Sequence, residues 1–134
     1  MTLFQIVALY IALHLILAPI LIFRVGQIRI KERINLGDGE NPKLFARIRA
    51  HGNYIETTPI ALIGLIALGM MQANPIGLHL FGAIFLLGLI LHAHGMAQPH
   101  SAGKGRVVGM IMTLFTFFGT ASYLLYLIFT FTNN

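Results

Sequence analysis

The chain has 134 residues, of which 57% are hydrophobic and only 10% charged, and its mean hydropathy is +0.80. A soluble domain carries about 25% charged residues, so this composition argues against a water-soluble fold and indicates a single integral membrane domain. The chain contains no cysteine, which excludes disulfides, thiolate metal sites and a cysteine nucleophile.

Four apolar segments follow one another along the chain, and each is long enough to cross a bilayer. About 20 residues of α-helix span a hydrocarbon core of ~30 Å, and a helix satisfies its own backbone hydrogen bonds there. The sequence therefore predicts an all-α, integral membrane four-helix bundle formed by residues 1–134 as one domain. The helices are predicted at about residues 3–23, 42–72, 76–97 and 106–131.

The first two segments differ in how they begin. Leu3–Phe23 has no basic region before it and no small-residue cleavage site, so we expect a retained helix rather than a signal peptide. Asn41 followed by Pro42 is typical of an N-cap and the first residue of a helix. The second helix is therefore expected to start in water and to enter the membrane near Ile48.

The connections between the segments carry nearly all the charge. All nine Lys and Arg lie in two stretches, seven between Arg24 and Arg49 and two at the start of the last segment. Basic residues between apolar runs follow the positive-inside rule, which disfavours a nucleic-acid surface. The rule predicts cytoplasmic loops at 24–47 and 98–106, with both termini outside.

The second segment carries the only acidic residue outside the loops. Arg49, Asn53 and Glu56 are spaced i, i+4 and i+7, so they share one face of a helix near the cytosolic rim of the membrane. A carboxylate at that depth is costly unless it is paired or faces a polar cavity. Two interpretations stay open: Glu56 pairs with an arginine to hold helices together, or this face lines a polar pocket.

Residues 49–59, RAHGNYIETTP, resemble the second-helix signature of the MAPEG family, the membrane-associated proteins in eicosanoid and glutathione metabolism. That signature reads Arg-Ala-x-x-Asn-x-x-Glu, followed shortly by Pro. Residues 26–31, GQIRIK, are similar to the end of helix 1 in the prostaglandin E synthase branch, and the four-helix layout matches over essentially the whole chain. The resemblance implies a MAPEG-like homotrimer of the bacterial inner membrane, with glutathione bound between adjacent subunits.

The resemblance also implies roles for individual residues. Glutathione would be held by six of them: Arg29, Arg49, His51, Asn53, Glu56 and His92. Arginines donate paired hydrogen bonds to carboxylates, Glu56 offers a counter-charge to the ammonium group, and Asn53 offers an amide.

Arg106 matches the arginine with which family members stabilise the glutathione thiolate. A free thiol has a pKa of ~8.5, and a nearby guanidinium group lowers it. The other interpretation of Arg106 is a basic anchor at the membrane interface.

Two positions depart from the family pattern. Met96 stands where a tyrosine is usual, and a methionine cannot donate a hydrogen bond to a thiolate. Val107 stands where the prostaglandin branch has a serine, which argues against prostaglandin isomerase chemistry. The histidines of this region do not predict a metal site, because residues two apart point to different helix faces and no carboxylate accompanies them. They are His92, His94 and His100.

The sequence thus predicts a membrane-bound, glutathione-dependent transferase or peroxidase, with glutathione as co-substrate. It would act on lipophilic electrophiles or lipid hydroperoxides, and its expected partners are copies of itself, a lipophilic small molecule and the bilayer. The alternative is a non-catalytic membrane scaffold of the same fold that binds lipid or glutathione. A small multidrug exporter is disfavoured, because such exporters place their glutamate in helix 1.

Overall fold

A computed structural model describes residues 1–98 and 103–131, and it contains four helices. They are α1 (Leu3–Glu32), α2 (Pro42–Met70), α3 (Pro75–Met96) and α4 (Lys104–Phe131). No strand occurs in these residues, and all four helices are long and apolar enough to cross a membrane. The predicted all-α four-helix membrane fold is confirmed. Residues 99–102, which include His100 and belong to the second basic loop, lie outside the described part, as do residues 132–134.

Helix α1 is longer than the apolar run that predicts it. It begins with a capping box, in which the Thr2 hydroxyl accepts from the Gln5 N–H at 3.2 Å and Gln5 Oε1 accepts from the Thr2 N–H at 2.9 Å. It continues past residue 23 to Glu32 and ends where Arg33 takes a positive φ of 56°. Hydropathy marks the membrane span, whereas charged residues outside the hydrocarbon continue the helix without penalty. The helix is therefore about 45 Å long and projects beyond the hydrocarbon core.

Helix α2 begins where the sequence predicts. The Asn41 side chain accepts hydrogen bonds from the Lys43 and Leu44 N–H groups at 3.0 and 3.1 Å, and Pro42 occupies the first helical position. The helix ends at Met70, and a short turn leads into α3. The Tyr123 hydroxyl of α4 accepts from the Asn74 N–H at 2.9 Å, which ties the far end of α4 to this turn.

The interior contains two apolar clusters, one near each end of the bundle. The first surrounds Leu68, Leu78 and Phe81, and the second surrounds Leu21, Phe85 and Met96. His14 is 2% exposed, and its ring lies 5.3 Å from that of Phe85 and 5.9 Å from that of Tyr54, measured between centroids. Neither imidazole nitrogen of His14 finds a hydrogen-bond partner among the described residues.

Helices α3 and α4 approach each other through glycines. A Cβ added to Gly88 would lie 2.9 Å from Met112 Cβ, and one added to Gly95 would collide with the backbone N of Arg106. Gly105 and Gly109, on the facing side of α4, are equally close to α3 backbone atoms. Small residues at such spacing allow helix backbones to approach within membranes. These glycines therefore bring the backbones of α3 and α4 into direct contact.

The two ends of the bundle differ in charge. The N-terminus and the α2–α3 turn share one end, as the contact between Val7 and Gly69 shows. The end of α1, the start of α2, the end of α3 and the start of α4 share the other. We call this second end the basic end, because all nine Lys and Arg lie in its elements.

Candidate active site

The orientation of the α2 motif is set by the residues that it buries. Ala50 and Tyr54 are 4% and 6% exposed and pack in the cluster near the basic end. The Tyr54 hydroxyl donates to the His14 carbonyl oxygen at 2.8 Å, which fixes the rotation of α2 against α1. The face with the predicted glutathione ligands therefore points away from the core.

Arg49, Asn53 and Glu56 share that outward face, as their spacing predicts. Arg49 and Glu56 are exposed in the single chain, whereas Asn53 is half-buried. The position of a Cβ on Gly52 lies 3.9 Å from Arg49 Nη1 and 3.8 Å from Glu56 Oε1. The Arg49 guanidinium group and the Glu56 carboxylate therefore lie on either side of Gly52, where the helix carries no side chain.

Arg106 lies at the same end of the bundle, in the first turn of α4. Its backbone is held against α3 by Gly95, while its side chain is exposed. His92 of α3 is buried, lies against Gly109, and is within electrostatic range of the Arg106 guanidinium group. The glycine contact therefore places the predicted thiolate-stabilising arginine beside the predicted histidine ligand.

Arg29 and His51 occupy different surroundings from the other predicted ligands. Arg29 is half-buried, and its Nη1 donates to the carbonyl oxygens of Ile34 and Asn35 at 3.4 Å each. Its guanidinium group therefore closes the end of α1 while keeping further donors for a ligand. His51 is half-buried on α2.

Three cavities formed by residues 1–98 and 103–131 lie away from the predicted glutathione ligands of α2 and from Arg106. These cavities have volumes of about 550, 880 and 10 Å³, and none of the three is lined by Arg49, Asn53, Glu56 or Arg106. The polar face of α2 instead lies on the outer surface of the bundle. An enclosed site that includes this face would therefore need residues from a second molecule to cover it.

Sequence reasoning missed the residue that orients the site. Tyr54 lies inside the motif, but its neighbours Asn53 and Glu56 point outward while it is buried. The available signal was the helical wheel, which places Ala50, Tyr54 and Ala61 together on a different face from Arg49 and Glu56. The pair Gly105 and Gly109, which frames Arg106 at four-residue spacing, was a second available signal.

Comparison with known proteins assigns the chain to a family. The sequence model of the MAPEG family matches residues 7–126, which include all of α2 and α3 and most of α1 and α4. The chain belongs to the MAPEG family. This membership supports a membrane, glutathione-related function in general.

Two curated relatives extend the comparison for this MAPEG chain. It is 33% identical, over 106 residues, to the inner membrane protein YecN of Escherichia coli strain K12, and the match covers 79% of each chain. YecN of Escherichia coli O6:H1 strain CFT073 matches to the same extent. No solved structure matches the chain. The helices and the relatives together support a multi-pass inner membrane protein.

Proposed function

We propose that this chain is a glutathione-dependent membrane transferase or peroxidase that acts on lipophilic electrophiles or lipid hydroperoxides. The observation that carries the proposal is the outward face of α2, where Arg49 and Glu56 flank Gly52 beside Asn53. Arg106, at the same end of the bundle, completes the set of groups. Membership of the MAPEG family supports glutathione as the co-substrate.

The charges on the α2 face match those of glutathione. The tripeptide carries two carboxylates and one ammonium group, so it needs cationic donors and one anionic acceptor. Arg49 is the donor for a carboxylate, Glu56 the acceptor for the ammonium, and Asn53 hydrogen-bonds an amide. Gly52, which has no side chain, leaves the peptide room to lie against the helix.

Arg106 supplies the positive charge that the thiol requires. A guanidinium group beside the sulfur favours the thiolate, and the released proton passes to water at the membrane rim. In a conjugation, the thiolate forms a C–S bond while the leaving group departs with the bonding electrons. With a hydroperoxide, the thiolate attacks the terminal oxygen, the O–O bond breaks, and the alkoxide leaves and takes up a proton as the alcohol, so the first glutathione becomes a sulfenic acid. A second glutathione thiol then attacks the sulfenic acid sulfur, and water and glutathione disulfide are released.

The exposure of the charged face supports a homotrimer in which adjacent subunits cover it. Ionised groups at the membrane rim are costly against lipid unless another polar surface meets them. A second copy of the chain, packed along α2, would enclose the tripeptide between subunits and leave the lipid side open to the electrophile. From the positive-inside rule we expect this basic end in the cytoplasm, where glutathione is available to it, and both termini outside.

The test uses the purified full-length protein in detergent or nanodiscs. Calorimetry should detect glutathione binding, and an aryl chloride electrophile should be conjugated at a rate that depends on Arg106. Absence of glutathione binding would overturn the proposal. Binding without turnover of any electrophile or hydroperoxide would establish the alternative, a non-catalytic scaffold, for which Met96 in place of the usual tyrosine is the supporting observation.

A further inference from the structure

The largest cavity of the three is a cleft at the basic end that the proposed function does not use. Its volume is about 880 Å³, and it opens between the end of α1, the start of α2 and the end of α3. Six of its lining residues carry the argument below: Ile28, Glu32, Glu40, Lys43, Arg47 and Met96.

The walls of this cleft combine both charges with an apolar floor. Glu32 and Glu40 provide two carboxylates, one from α1 and one from the loop that follows it. Lys43 and Arg47 provide two cations from consecutive turns of α2. Ile28 and the buried Met96 add apolar surface. A ligand that matches these walls carries an anion, a cation and a hydrocarbon portion.

The cleft lies just beyond the apolar span of α1. The uncharged part of α1 ends at Phe23, and 21 helical residues from Leu3 span about 31 Å, the thickness of the hydrocarbon core. Ile28 and Glu32 come five and nine residues after Phe23, so they lie about 8 and 14 Å farther along the helix axis. The headgroup layer extends about 5–8 Å beyond the hydrocarbon core, so the cleft begins at the outer part of this layer, where phospholipid phosphates and ammonium groups are the charged species present.

A pair of arginines adds a second observation that points to an anion. Arg24 of α1 and Arg47 of α2 are both half-buried, and they lie close enough for their positive charges to interact unfavourably. Two like charges at short range repel each other, and a phosphate beside them removes that cost. Arg47 lines the cleft, so the anion that offsets the repulsion has direct access to it.

From these observations we infer that the cleft binds a phospholipid whose headgroup contains a phosphodiester and a terminal ammonium group. The phosphodiester contacts Arg47 and Lys43, and the ammonium group contacts Glu32 and Glu40. The glycerol lies along Ile28 and Met96, and the acyl chains extend from it toward the hydrocarbon core. A lipid bound in this way bridges α1, α2 and α3 at the basic end.

This lipid site shares no residue with the proposed glutathione ligands. Arg47 and Arg49 are two residues apart on a helix and therefore point in different directions. Neither Arg49 nor Glu56 lines the cleft, and Arg47 is not among the proposed glutathione ligands. A variant that loses lipid binding should therefore still bind glutathione, and the reverse should also hold. Each proposal can thus be contradicted without the other.

The test measures lipid retention by native mass spectrometry on the purified full-length protein. The lipids are phosphatidylethanolamine, which has the ammonium group, and phosphatidylglycerol, which lacks it. The wild-type protein should prefer phosphatidylethanolamine by about tenfold, the effect of one charge-assisted hydrogen bond. Arg47→Gln should weaken both lipids, and Arg47→Lys should restore them in part. The combined change of Glu32→Gln and Glu40→Gln should abolish only the preference.

Matched controls separate a specific site from general surface charge. Lys31→Gln and Arg33→Gln remove exposed cations at the same end that do not line the cleft, so both variants should bind like wild type. An equal loss in these controls, or a preference that survives the glutamate changes, would overturn the inference. Competition by soluble glycerophosphoethanolamine or glutathione at concentrations that match the lipid would also overturn it, because the occupant would then be a soluble zwitterion.

Discussion

Two regions of the bundle differ in how tightly they are packed. The contact between α3 and α4 is closed, because Gly88, Gly95 and Gly109 leave no space between the helix backbones. The α2 face with Arg49 and Glu56 is open, with its charged groups on the outer surface of the single chain. The closed contact positions Arg106, and the open face provides the proposed contacts to glutathione.

The comparison shows that the residues that hold α3 and α4 together are different from the residues that are available to bind a ligand. A backbone contact through glycines tolerates almost no change, since any added side chain meets backbone rather than a movable side chain. The open face tolerates substitution structurally but is the place where a ligand or a second copy of the chain has to bind. Mutations in the two regions should therefore separate folding from binding.

The largest expected effect is on folding, from Gly95→Ala. The new Cβ would collide with the Arg106 backbone N and approach the carbonyl carbon of Gly105, so α3 and α4 would have to move apart. We expect a loss of about 3 kcal/mol or more in unfolding free energy, measured by thermal unfolding under circular dichroism. The matched control is Gly26→Ala, because nothing lies within 4 Å of a Cβ there. Equal stability of the two variants would contradict the closed contact.

The next effect is on turnover, from Arg106→Ala. Loss of the charge that stabilises the thiolate should lower the conjugation rate by about 10²-fold, as removal of one electrostatic stabiliser does elsewhere. Glutathione affinity should change little, since the tripeptide keeps its contacts on α2. Lys104→Ala removes another exposed cation of the same helical turn and serves as the control. An unchanged rate would favour the interpretation of Arg106 as a membrane anchor.

A smaller effect is expected on binding, from Arg49→Gln and Glu56→Gln. Each change removes one charge-assisted hydrogen bond to glutathione and should weaken the calorimetric Kd by about tenfold. Arg47→Gln lies two residues from Arg49 and faces the lipid cleft, so it should leave the Kd for glutathione unchanged. If Glu56→Gln lowers only thermal stability, the carboxylate holds helices together instead of binding the tripeptide.

The smallest effect is expected from Tyr54→Phe, which connects the two regions. Its hydroxyl donates to the His14 carbonyl oxygen at 2.8 Å, and loss of this bond should cost about 0.6–1.5 kcal/mol of unfolding free energy. The rotation of α2 should loosen slightly, with a modest loss of glutathione affinity. Tyr126→Phe is the control, because this tyrosine is 62% exposed. A stability equal to that of the control would show that apolar packing alone orients the motif.

Much of the fold was accessible from local sequence properties. The four apolar runs predict the four helices, and Asn41 with Pro42 predicts the start of α2, because capping depends on adjacent residues. The i, i+4, i+7 spacing correctly predicts that Arg49, Asn53 and Glu56 share a face. The end of α1 was harder to predict, because a helix can continue into water after its apolar run has ended.

The sequence by itself determined how many helices there are, which end carries the charge and which α2 residues lie together. These are properties of hydropathy and helical period, which act within about 20 residues. The tertiary structure decided that the α2 face points outward, that Arg106 lies beside His92, and that a charged cleft opens beside Arg47. Those features depend on how separate helices pack against one another, as in the contacts of Tyr54 with His14 and of Gly95 with Arg106, and no pattern within one helix specifies which partners meet.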